Sequence, residues 1–181
     1  MKLNSHIIGG FGFASLANLL FGSDIWALSY IFILSVVINI AIDIGHERLP
    51  SGRVVRSPYT HEVLSCILIS MSIGYMLWLL LGSIYGVSLY LSIYASALIA
   101  ISHLIGDLVT KSGIYINMGG ALLRISLSTL SYRDPRLNIA FIVIQIIPLT
   151  LSLITMQYSF SEHPSHALID KLLSMYGITS K

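Results

Sequence analysis

Five apolar runs divide the chain: roughly 7–22, 25–42, 62–81, 83–109 and 138–158. A helix needs about 20 such residues to cross a bilayer, and runs two to five are long enough. The first run is short and rich in Gly and Ala. Gly10 and Ala14 lie one helical turn apart, a spacing suited to close packing inside a membrane bundle. The composition agrees. Of 181 residues, 55% are hydrophobic and 10% are charged, where a soluble domain carries about 25% charged residues. Mean hydropathy is +0.84. The chain is therefore expected to be an all-α integral membrane protein with about five transmembrane helices.

The links add detail. "GSD" and "GSIYG" read as tight turns, whereas 43–60 and 110–137 are long and polar. Within the second long link, "ALLRISLSTLSY" reads as an interfacial amphipathic helix. From Ser161 the tail reads as a short amphipathic helix, with Leu168, Leu172 and Met175 on one side and Asp170, Lys171 and Ser174 on the other. The expected division is a transmembrane domain over 1–160 and a polar tail over 161–181. "IIGGFGF" is too glycine-rich for a signal-peptide core, so the first run is expected to stay in the protein.

Basic residues suggest the orientation. With five spans, the N-terminus and the two long links share one side. That side holds Lys2, Arg48, Arg53, Arg56, Lys111, Arg124, Arg133 and Arg136, eight of the ten Lys and Arg. The positive-inside rule makes it cytoplasmic and puts the tail outside.

Ionisable residues near membrane helices are costly and tend to be functional. His103, Asp107 and Thr110 stand at i, i+4 and i+7, on one face at the end of the fourth run. Asn39, Asp43 and His46 repeat that spacing at the end of the second. His61 opens the third run and His6 the first. Alternating topology brings His6, Asp43, His46, His61, His103 and Asp107 to one membrane level. Imidazole and carboxylate together are ligands for a first-row divalent metal, zinc foremost, and the set suffices for one or two ions. Glu47 and Glu62 adjoin it as candidate general bases, although Glu62 equally suits a helix cap. Arg56, and less directly Arg53, could hold an anionic group, and Thr110 shares the face of His103. His163 and His166 read as solvated tail residues. The single Cys66 rules out an internal disulfide and reads as a small buried hydrophobe. The net charge of +2 gives no reason to expect nucleic acid.

Three stretches, "DIGH" (Asp43–His46), "RSPYTHE" (Arg56–Glu62) and "HLIGDLVTKSG" (His103–Gly113), resemble the YdjM-like family of membrane-bound metal-dependent hydrolases, including its archaeal-type relatives. The resemblance covers about residues 1–115. Its most specific part is a His-x-x-x-Asp-x-x-Thr-x-x-Gly signature, met by His103, Asp107, Thr110 and Gly113. The sequence departs from the family where Glu62 replaces a common Ser and Val55 a common His. The resemblance implies metal-dependent hydrolysis with His103 and Asp107 touching the metal. The expected function is hydrolysis of an amphiphilic substrate, such as a lipid phosphoester, at the cytoplasmic membrane face. The alternatives are a metal transporter or sensor, and a non-catalytic membrane protein with a structural metal. The expected partners are membrane lipid and the substrate itself.

Overall fold

The computed structural model describes residues 1–21, 24–44, 46–48 and 54–162. The order of elements is α1 (Leu3–Phe21), α2 (Ile25–Ile44), β1 (Glu47–Arg48), β2 (Val54–Val55), α3 (Pro58–His61), α4 (Val63–Tyr85), α5 (Leu89–Leu108), β3 (Ile114–Met118), β4 (Ala121–Ile125) and α6 (Pro135–Glu162). Of the tail expected from Ser161, the first two residues end α6, and 163–181, with His163, His166 and the expected tail helix, fall outside the described residues.

Helix boundaries follow local chemistry. Asp24 accepts from the backbone N–H groups of Trp26 and Ala27 and so opens α2. Gly86, at φ 63°, ends α4 in the left-handed conformation that glycine adopts without strain. Ser88 then caps α5 by accepting from Leu91 N. Asp134 precedes Pro135 and accepts from Arg136 N at 2.9 Å, starting α6.

Four helices among the described residues are long and apolar enough to cross a membrane: α2, α4, α5 and the Pro135–Gln157 part of α6. They differ in burial. Half of the α2 span and 56% of the α5 span are buried in the protein, against 17% for α4 and for α6. Thus α2 and α5 form the interior, and α4 and α6 present broad apolar outer faces. On α2 the fully buried Ile31, Leu34, Ile38 and Ile42 make one helical stripe.

Helix α1, 19 residues long and not one of those four, packs against α2, α5 and α6. Its small residues permit this. Gly9 lies against the Phe141 ring, and Gly12 against the Gln145 backbone of α6. Any side chain at Gly10 would meet Ser35 Oγ at 2.8 Å and Asn39 Nδ2 at 2.9 Å. Gly74 does the same for α4 against Ser96 of α5. Small residues, rather than large apolar ones, set these helix separations.

One local expectation is corrected. "ALLRI" within the expected interfacial helix is strand β4, paired antiparallel with β3 from Ile114↔Ile125 to Met118↔Ala121. The reason is the Gly119-Gly120 turn, at φ 63° and 95°, with Asn117 Oδ1 accepting from Gly120 N at 2.9 Å. Residues alternate across the pair. Ile114, Ile116, Met118, Ala121, Leu123 and Ile125 share one face, and the period is two.

Candidate metal centre

The helix ends assemble the site in steps. Helices α2 and α5 place Asn39 beside His103. The Asn39 amide has a fixed orientation, because Nδ2 donates to Ser35 O at 2.8 Å and lies 3.2 Å from Ser35 Oγ. Its Oδ1 therefore points at His103 Nδ1, 2.8 Å away, and can only accept. His103 Nδ1 therefore donates to Asn39, and Nε2 faces the carboxylates of Asp107 and Asp43.

Helix α3 supplies His61. Ser57 accepts from Tyr59 N, Pro58 occupies the first turn, and the four-residue helix ends with His61 fully buried. His61 Nδ1 lies 2.8 Å from Thr60 Oγ1, which leaves Nε2 directed at the same place as His103 Nε2. The two ring nitrogens are 3.4 and 3.3 Å from Asp107 Oδ2. Asp43 Oδ1, at the end of α2, is 3.8 Å from His103 Nε2. His46 donates from Nδ1 to the main-chain carbonyl of Asp43, and its ring meets that of His61 edge-on at 4.9 Å. His6, from α1, stacks on His103 with ring centroids 3.9 Å apart, and its Nε2 is 3.0 Å from Asp107 Oδ1.

All six histidines and aspartates named from the sequence thus meet at one end of the bundle. They form two groups, His6–His103–Asp107 and Asp43–His46–His61. Within each group the ligand atoms lie within 4.8 Å of one another.

The burial is severe. His6, His61, His103 and Asp107 have at most 1% of their surface exposed. Yet His6 Nδ1, His61 Nε2, His103 Nε2 and Asp107 Oδ2 have no hydrogen-bond partner, and His6 Nε2 has its ion-pair contact with Asp107 Oδ1. An unsatisfied buried polar atom costs about 1–3 kcal/mol, and native interiors hold few. Here they converge. Tetrahedral ligands about 2.1 Å from a zinc ion stand about 3.4 Å from each other. The 3.3, 3.4 and 3.8 Å separations fit the edges of such a polyhedron. The donor set is right for a divalent metal, and a cation there would satisfy the inward-facing atoms.

The electrostatics also suit metal binding. Burial holds the His61 imidazole down to about 3, with nearby positive charge adding to the effect, so the ring is neutral at physiological pH. That is the protonation state a metal requires. Asp107 is balanced on its other oxygen. Oδ1 accepts from Arg56 Nη2 and from the amino group of Met1. Arg56 Nη1 also donates to Thr110 Oγ1 at 3.2 Å and to Gly113 O at 2.9 Å. Its guanidinium is engaged inside the protein, tying the α2–α3 link to the end of α5. Thr110 donates to Asp107 O at 2.8 Å and finishes the helix. Gly113, at φ 66°, packs against the Ile125 backbone where a Cβ would not fit. Local folding therefore accounts for the Thr and Gly of the signature stretch.

The remaining candidates fall elsewhere. Glu62 caps α4, accepting from Ser65 N at 2.7 Å; these backbone bonds hold its carboxyl below the usual range. It belongs to neither His/Asp group. Glu47 lies in β1 opposite Val55, with its side chain outside the described part, as is Arg53 altogether. Asn39 and Thr60, which lie outside the candidate ligand set, orient two of the rings. In the sequence Asn39 stands one turn before Asp43, on the same helix face.

The chain matches the model of the family described as "Protein of unknown function (DUF1286)" over residues 1–106, and it belongs to that family. The match spans α1 to α4, most of α5 and five of the six His/Asp positions, ending at the residue before Asp107. No curated protein and no solved structure matches the chain.

Proposed function

We propose that this protein is a membrane-embedded metal-dependent hydrolase acting on an amphiphilic substrate, a lipid phosphoester by preference, at the cytoplasmic face. One observation carries the reading. His61 Nε2, His103 Nε2 and Asp107 Oδ2 are buried, lack hydrogen bonds and sit 3.3–3.4 Å apart across Asp107 Oδ2. A zinc-like cation bound there would polarise an ester and lower the pKa of a coordinated water. His61 and His103 would hold it as neutral imidazoles, with Asn39 keeping His103 in the correct tautomer. Arg56 would fix Asp107 by occupying Oδ1 and leaving Oδ2 to the metal. The open edge is at His46 and Asp43, whose side chains are 25% and 22% exposed, so substrate would arrive there.

The resemblance of the signature stretches to the YdjM-like hydrolases supports the same chemistry. Five crossings, with α1 as the first, would place the site on the side that carries eight of the ten Lys and Arg. Transport, the second reading, has less support. Its path would need open polar groups in the far half. Tyr30 and Ser92 there bond each other at 2.6 Å, and Ser92 donates to Gly74 O at 2.8 Å.

The test is metal analysis of the full chain purified in detergent, followed by phospholipid hydrolysis assays. We expect at least one tightly bound divalent ion per chain. His103→Ala should keep its helix content and lose both metal and turnover. Metal well below one per chain in folded protein would overturn the reading.

A further inference from the structure

The site holds more ligands than one ion uses. A tetrahedral centre takes four donors, of which a catalytic one draws three from the protein. Six side chains converge here, and they divide without sharing into two sets of two histidines and one aspartate: His6–His103–Asp107 and Asp43–His46–His61. A single central ion held by His61, His103, Asp107 and Asp43 would leave His6 and His46 idle. For His6 that is costly. It is 1% exposed; its Nδ1 has no hydrogen-bond partner, and its Nε2 lies 3.0 Å from Asp107 Oδ1, within its own set. It lies parallel to His103, 17° between planes and 3.9 Å between centroids, so the two rings stack face to face. The two sets also abut. His61 Nε2 is 3.4 Å from Asp107 Oδ2, and His103 Nε2 is 3.8 Å from Asp43 Oδ1, each contact crossing from one set to the other.

We propose that the centre is binuclear: His6, His103 and Asp107 hold one divalent first-row cation, and Asp43, His46 and His61 hold a second beside it. This deepens the metal reading above and depends on it. Charge indicates the substrate class. Two divalent ions and Arg56 outweigh two aspartates, so the centre would retain a net positive charge and take an anion. Paired cations roughly 4 Å apart bridge two oxygens of a phosphoester, which fits that role.

The experiment uses the full chain in detergent, stripped with chelator and reloaded with Mn(II). Bound metal is counted by elemental analysis, and electron paramagnetic resonance distinguishes isolated from magnetically coupled ions. Wild type should bind two Mn(II) per chain and show a coupled spectrum. His6→Ala and His46→Ala should each bind one ion, with the six-line spectrum of an isolated Mn(II). One ion per chain in wild type, unchanged in both variants, would overturn the second site and leave the metal reading standing. No bound ion would overturn both. If His6→Ala does not fold, His46→Ala, at a partly exposed position, and the wild-type count still decide the matter.

Discussion

At the scale of single residues, the site depends on groups that touch no metal. Asn39 fixes His103 through one hydrogen bond, and its own amide is fixed by Ser35. Outer partners of this kind are worth about 10–100-fold in metal affinity. Asn39→Ala should therefore weaken metal binding by that order while helix content stays unchanged; competition titration against a chelating dye measures it. Glu62 has a different task. Glu62→Ala should cost about 1 kcal/mol of stability at neutral pH, as for other lost helix caps. The folded-state pKa of Glu62 is depressed, so its contribution is complete above the ordinary value of 4.5 and is lost as pH falls through the lower folded value. The gap between wild type and variant should close over that range in unfolding experiments. The convergence of the candidate ligands is legible in sequence in part, because spacing of i, i+4 and i+7 puts His103, Asp107 and Thr110 on one face. The role of Arg56 is not. Whether a guanidinium greets a substrate or a buried carboxylate depends on how the 43–60 link folds back, and local pattern carries no record of that.

At the scale of elements, helix α1 shows how small residues outweigh hydropathy. It is the long helix with the smallest buried side chains, and it occupies the middle of the bundle. Gly12→Ala would push a methyl group into the Gln145 backbone, which cannot rotate away as a side chain could. A cost of about 1–3 kcal/mol is expected, typical of overpacking, and thermal unfolding in detergent should register it. The β3–β4 hairpin teaches the complementary lesson. "INMGGALLRI" contains both a glycine turn and alternating apolar residues, so its strand character was open to reading. The four long apolar helices were plain from run length alone. The hairpin was harder because an amphipathic strand pair and an amphipathic helix draw on nearly the same composition, and only the period separates them.

At the scale of the whole molecule, the placement of one site at one end of the bundle makes a claim about topology. The ends of α2 and α5 and the starts of α1 and α4 meet there. Single cysteines at Arg124 and at Val87, in a Cys66→Ser background, should label from opposite sides of sealed vesicles. Labelling of both from one side would exclude a bundle whose α5 crosses the membrane. The apolar outer surfaces of α4 and α6 are expected to face lipid, in keeping with their low burial.

The central seat of α1 has a consequence for biogenesis. Its partners are α2, α5 and α6, and α6 is the last of the described helices to be synthesised. Helix α1 must therefore wait for α6 before its glycine surface is covered. Residues 1–21 hold His6, whose ring meets Phe141 of α6, so its surroundings also close only when α6 packs. Nascent chains stalled before Pro135 should leave position 6 open to modification, and chains released after Glu162 should close it. Under the proposed metal reading, a centre assembled in this order would take up its ions only after insertion is over.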